Sequence, residues 1–101
     1  MITVVVNFPL SDEMTLEQFK ERMLGTVPTY QAVPGLLRKN YLYDEKRSVG
    51  GGVYTFSSRE EAEACFSLEF IERVTKRFGA PEVNYYETPI LVDNEHDVVK
   101  S

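Results

Sequence analysis

The sequence predicts an α+β domain of the ferredoxin-like kind, ordered β-α-β-β-α-β, with helices on one face of a four-stranded antiparallel sheet. Three observations carry this. Ile2 to Phe8, ITVVVNF, is an apolar, β-branched run that gives way to residues at helical spacing. Pro34 to Phe56 reads as turn, strand, polar loop and second strand. A second helical stretch then closes at Phe78-Gly79, ahead of a last strand that starts at Glu82.

The first strand is apolar at nearly every position, as a strand covered on both faces should be. Pro9 ends it. Ser11 or Asp12 can cap the helix that follows, and Thr15 with Gln18 offers a capping box further on. Leu16, Phe19, Met23 and Val27 fall on one helical face, opposite Glu17, Lys20, Glu21 and Arg22. Gly25 and Pro28 weaken the end of that helix. A short turn covers Thr29 to Ala32 before the Pro34-Gly35 turn signal.

In the next strand Leu37, Lys39, Tyr41 and Tyr43 alternate with Leu36, Arg38, Asn40 and Leu42. The connector Asp-Glu-Lys-Arg-Ser suits a hairpin loop. Gly50, Gly51 and Gly52 open the following strand, and such a run marks a bulge, a flexible entry, or room for a ligand or partner chain. Ser58 with Glu61 is an S-x-x-E capping box, and Ser67 re-caps the helix before Phe70, Val74 and Phe78. Pro89 sits in the last strand, Glu82 to Val92, and places that part at an edge or bulge. The domain expected is residues 1–94, with 95–101 as a polar tail, loose or laid on a neighbour.

Composition narrows the function classes. The chain has 101 residues, 43% hydrophobic and 27% charged, which fits one globular domain. A net charge of −5 argues against nucleic acid and against anionic lipid as partners. One cysteine, Cys65, and one histidine, His96, allow neither a disulfide framework nor structural zinc. No signal-peptide pattern and no apolar run near the roughly 20 residues of a membrane span appear, so the expected location is cytoplasmic. Strands one and four carry apolar residues on both sides. The open face of the sheet therefore predicts a partner, most simply a second copy of the chain about a two-fold axis, the sheets meeting as a barrel.

The segments PGLLRKNYLYDE, GGGVYTFSSREEAEAC, FIERVTKRFGAPEV and YYETPILVDN resemble those of the YdhR-type monooxygenases. These belong to the dimeric α+β barrel superfamily, with the antibiotic biosynthesis monooxygenases. The resemblance runs from about Val4 to Asn94. It implies a homodimer with a pocket in each protomer between helices and sheet. It also implies oxidation of an aromatic or polyketide-like compound by molecular oxygen, without flavin or metal. The substrate loses a proton, and its electron-rich anion reduces oxygen directly; the protein supplies a dry cavity and donors for the anion. A non-catalytic dimer that binds a small molecule, or a stress-related protein with no bound ligand, is the competing reading.

Candidates for the site follow. Tyr54 is a phenol that could donate to a substrate oxygen, or an aromatic core residue. Lys39 and Arg38 face opposite ways, so one reaches solvent and the other can enter the interior, where a cation needs a partner or an anion. Asn7 interrupts an apolar strand and needs a hydrogen-bond partner if buried. Tyr54, Asn7 and Lys39 are the candidates for orienting and anion-stabilising roles; Arg38, Tyr41, Phe56 and Tyr85 are candidates for substrate contact. The chain has no tryptophan, which some relatives place in the pocket, and its histidine lies in the polar tail. No metal cluster, phosphate loop or nucleophile with a base at readable spacing is present.

Overall fold

A computed structural model of the chain describes every residue from Met1 to Ser101. Strand β1 (Ile2–Pro9) leads into helices α1 (Leu16–Leu24) and α2 (Val27–Gln31). Strands β2 (Leu36–Asp44) and β3 (Val49–Phe56) form the hairpin. Helices α3 (Arg59–Cys65) and α4 (Leu68–Arg77) precede β4 (Glu82–Glu87). The main sheet has four strands in the order β2-β3-β1-β4, every neighbour antiparallel. This is the ferredoxin-like order anticipated from the sequence.

The helix boundaries fall where side chains satisfy first-turn amides. Of the two possible caps for α1, Thr15 is the one used: its Oγ1 accepts from Gln18 N–H at 3.1 Å, and Gln18 Oε1 accepts from Thr15 N–H at 3.0 Å. Ser58 Oγ accepts from Glu61 N–H at 3.2 Å, and Ser67 Oγ accepts from Phe70 N–H at 3.4 Å, so Ser67 does start a separate helix. The helices pack on the β1 face that carries Ile2, Val4, Val6 and Phe8. With Tyr54, Phe56, Phe19, Met23, Phe66, Phe70 and Val74 these residues make one core.

Three details depart from the alternation read in the sequence. The β2–β3 register shifts between Leu36 and Arg38. Leu36 therefore packs against the core on the same face as Lys39 and Tyr41, while Leu37 turns outward at 59% exposure. One extra residue moved Leu36 across the sheet. Next, the three glycines lie inside β3, all buried. A methyl on Gly50 would stand 2.7 Å from the Phe19 ring, and one on Gly51 would stand 1.8 Å from the Val6 carbonyl oxygen. The space they leave is filled by the chain itself.

Last, the long final strand is interrupted. It leaves the sheet at Thr88-Pro89-Ile90, where proline cannot donate to a ladder. Residues beyond form a separate hairpin of β5 (Leu91–Asp93) and β6 (Val98–Lys100), with Val92 opposite Val99. Of the C-terminal tail, Val98–Lys100 is thus paired strand. Thr88 is held beside β1 by its N–H to the Met1 carbonyl (3.0 Å) and by a hydroxyl contact with Thr3. Asp93 meets Arg38 of β2 at 3.3 Å. Since β3 lies between β1 and β2, residues 88–93 cross the open side of the sheet at one end.

That open side presents Thr3, Val5, Asn7, Val53, Thr55, Arg38, Asn40, Leu42, Asn84 and Tyr86. It is more mixed than the sequence pattern suggested. Leu42 and Tyr86 are nonetheless exposed at 36% and 55%, and Ile90 with Val92 and Val99 of the hairpin are exposed at 60–70%.

Candidate functional site

On the helix face, the cross-strand row Tyr85–Val4–Tyr54–Lys39 runs beneath α2, α3 and α4. Lys39 enters from edge strand β2 and lies over its neighbour in the ladder. Gly52 gives it passage: a methyl there would approach Lys39 Cε at 3.3 Å and Tyr54 Cε1 at 3.1 Å. The glycine run therefore makes room for a lysine of the same chain.

Lys39 Nζ sits 3.3 Å from the ring centre of Tyr30, 3.9 Å from that of Tyr41 and 4.6 Å from that of Tyr54. It has no carboxylate partner and no hydrogen bond. Its environment is a cage of three phenols. Two effects oppose each other there. Loss of water disfavours the ammonium and lowers its pKa to about 7, while the ring faces attract the cation. The group therefore holds its proton less firmly than an exposed lysine.

The phenols answer in the other direction. Burial raises Tyr54 far above the ordinary tyrosine value, and the neighbouring Tyr30 adds to this. Burial also raises Tyr30, with the neighbouring Tyr54 hydroxyl acting the other way. Both keep their protons at any physiological pH, so they are donors and not bases. Tyr41 Oη pairs with Thr26 Oγ1 at 2.6 Å, which fixes its ring in the wall. The Cys65 thiol is half-buried and pushed up by burial, with Lys39 and Arg73 acting the other way.

Two cavities meet at this cage. An outer groove of about 580 Å³ runs along β2 and α2, lined by Val27, Gln31, Leu36 and Arg38 among others. An inner cavity of about 60 Å³ lies between sheet and helices, reached by Phe70, Arg73 and Phe78. Tyr30, Lys39 and Tyr41 belong to both walls. They are the partition between groove and interior.

The structure brings together part of the set read from the sequence. Lys39, Tyr41 and Tyr54 converge. Arg38 lines the groove but points to the open side and pairs with Asp93, so of the two basic neighbours Lys39 is the one that enters. Phe56 is fully buried beneath Tyr54 and Phe66 and lines neither cavity. Tyr85 packs edge-on to Phe66, with the Arg59 guanidinium 5.0 Å from its ring. Asn7 stands opposite Gly51 and Glu82 on the open face, across the sheet from Lys39. Tyr30 was missed. It lies in a five-residue helix behind Pro28, too short for periodicity to be read; its spacing of three from Val27 was the available signal.

No three His, Cys, Asp or Glu side chains converge as a metal site, and no helix is long and apolar enough to cross a membrane.

Comparison with known proteins fits this architecture. Residues 3–93 match the family described as "Putative mono-oxygenase ydhR". No curated protein matches the sequence. Among solved structures, a Nitrosomonas europaea protein of unknown function, NE2512, superposes with a TM-score of 0.69 at 12% identity, over 86% of this chain and 87% of its own. The monooxygenase ActVA-Orf6 of Streptomyces coelicolor, solved with nanaomycin D, gives 0.66 at 21% identity, over 86% of each chain. SnoaB of Streptomyces nogalater, a cofactor-independent oxygenase, gives 0.61 at 15% identity, over 86% of this chain and 91% of its own. At these identities the neighbours establish the fold. The match over nearly the whole sequence establishes more: this chain belongs to the ydhR mono-oxygenase family.

Proposed function

We propose that the protein is a cofactor-independent monooxygenase of an aromatic, polyketide-like small molecule, acting in the cytoplasm as a homodimer. One observation carries the reading: an unpaired lysine held among three phenol rings, on the partition between an outer groove and an inner cavity. The monooxygenase ActVA-Orf6 solved with nanaomycin D and the cofactor-independent oxygenase SnoaB share the fold and supply the reaction class.

The groove lies within the usual size of ligand pockets, roughly 300–1,000 Å³, whereas the inner cavity alone does not admit a ring system. A flat hydroxyaromatic enters along β2 and takes the ammonium's place among the rings. Its oxygen then faces Lys39 and the Tyr54 hydroxyl. When the substrate loses its proton, the developing oxyanion meets a cation and a fixed donor in a site with little water, where both count for most. The anion is the reductant, and dioxygen takes the electron.

Oxygen uptake with a hydroxyanthrone probe tests this. Tyr54→Phe is expected to lower turnover about tenfold or more, since one oxyanion donor is lost, while light scattering still reports a dimer. Unchanged turnover would remove Tyr54 from the role.

The small interior favours one alternative, a dimer that binds the aromatic compound without oxidising it. Saturable binding of the probe with no oxygen uptake would select it.

The dimer reading is supported by the open side. Leu42 and Tyr86 are exposed on that face, Ile90 and Val92 in the segment that crosses it and Val99 in the strand paired to it, apolar side chains that a second copy would cover. Asn7 belongs to that face and serves the interface in this reading. Sedimentation at micromolar concentration should give twice the chain mass, and Val5→Lys in the middle of the face should give monomers. A wild-type monomer at that concentration overturns the assembly.

A further inference from the structure

Lys39 is the one lysine that the fold takes in. Lys20, Lys46, Lys76 and Lys100 are exposed. Every buried polar side-chain atom of the molecule has a hydrogen-bond partner, and Lys39 Nζ has none. Nζ therefore keeps contact with open space, and that space is the partition between groove and interior. No acceptor anchors its protons and no donor occupies a lone pair. The titratable groups around it are phenols and a thiol: Tyr30 from α2, Tyr41 beside it, Tyr54 from β3 and Cys65 from α3. The cationic Arg73 and Arg77 of α4 reach the same cavity. No carboxylate faces it. Burial opposes its charged form, while the ring faces and the Cys65 thiol favour it.

An amine with an unshared pair, freed of water and open to a groove, is a nucleophile. We propose that Lys39 captures aromatic aldehydes or aryl ketones as a reversible imine. The nitrogen pair attacks the carbonyl carbon, and the carbonyl π pair moves to oxygen. A proton passes from nitrogen to that oxygen and gives the carbinolamine. The C–O bond then breaks as the nitrogen pair forms C=N, and the departing hydroxide takes the remaining N–H proton and leaves as water. No oxidant or reductant is consumed. The aryl part is selected by the three rings, which stack on the incoming ring as they now hold the ammonium, and by the apolar groove wall of Val27 and Leu36. This activity needs the cage and the groove and does not depend on oxygen chemistry.

The test is anaerobic, so that it is independent of the oxygenase reading. The whole chain is incubated at neutral pH with 4-hydroxybenzaldehyde and cyanoborohydride, which reduces imines to stable amines, and the adduct is located by peptide mass spectrometry. Labelling at Lys39 is expected to exceed that at each exposed lysine at least tenfold. It should rise with pH through a midpoint well below that of the other lysines. Lys39→Arg should abolish the dominant adduct without raising the rest, and Tyr30→Ala should cut the preference for the aryl over an aliphatic aldehyde. Labelling at Lys39 no greater than at Lys20 or Lys46 overturns the proposal. Selective labelling, with no uptake in the separate aerobic assay, would uphold it and count against the oxygenase; aerobic uptake with no anaerobic labelling would do the reverse.

Discussion

Lys39→Met is expected to lower oxygen turnover about a hundredfold while making the folded chain more stable at neutral pH. The first effect follows from the loss of the one cation that faces the developing oxyanion, a contribution on the order of 10²–10³ in comparable sites. The second follows from the cage. An unpaired ammonium in a half-dry ring of phenols is costly, and a methionine of similar length keeps contact with the rings without charge. The gain should be on the order of 2 kcal/mol, reduced by the cation–π attraction that is lost.

The pH dependence distinguishes this from generic repacking. Burial sets the folded-state pKa of Lys39 at about 7, below the unfolded value of about 10.4. Below pH 7 both states carry the proton, and the penalty is fully present. From about pH 7 to about pH 10 the unfolded chain holds more protons than the folded one, so wild-type stability rises with pH. The advantage of Lys39→Met should therefore shrink over that interval. Denaturant midpoints of both proteins at pH 7 and pH 9 measure it. A gap that stays constant, or a variant less stable at pH 7, would show that the ammonium is not penalised where it lies.

Phe56→Ala is expected to cost about 3–5 kcal/mol, the range for removing a fully buried aromatic ring. The ring has no exposure and stacks under Tyr54 (centroids 6.4 Å apart, planes 15°), with Phe66 edge-on at 5.8 Å. Its loss leaves a void beneath the floor of the site. For a domain of this size total stability is about 5–15 kcal/mol, so the variant stands near the limit of folding. Phe56→Leu refills most of the volume and should recover more than half of the loss. If instead Phe56→Ala folded normally and changed only substrate affinity, the ring would be a contact residue and not a support.

The residues explain why some features were legible in advance and others were not. Capping signals are local: Thr15 with Gln18, and Ser58 with Glu61, each need only four consecutive residues, and the helices begin there. The apolar run of β1 is equally local and marked it as a strand, while packing of the helices decided that Val4 and Val6 face the core. The inward turn of Lys39 could be narrowed to a choice with Arg38, because neighbours in a strand face opposite ways. That Lys39 was the one to enter depended on the bulge at Leu37 and the empty place at Gly52, neither visible without the paired strand. Tyr30 came to the site from a short helix that only packing on β2 holds in place. The hairpin of β5 and β6 depended on Pro89 lifting the chain off the sheet and on Asp93 finding Arg38 far away in sequence.

The sequence by itself determined the β-α-β-β-α-β order of the main sheet and its helices and the capping residues at which helices begin, because each follows from spacing and local hydrogen bonding. The tertiary structure alone decided the site. A cation among three phenols forms only when residues from α2, β2 and β3 meet, and the missing methyl of Gly52 is what lets the lysine reach them.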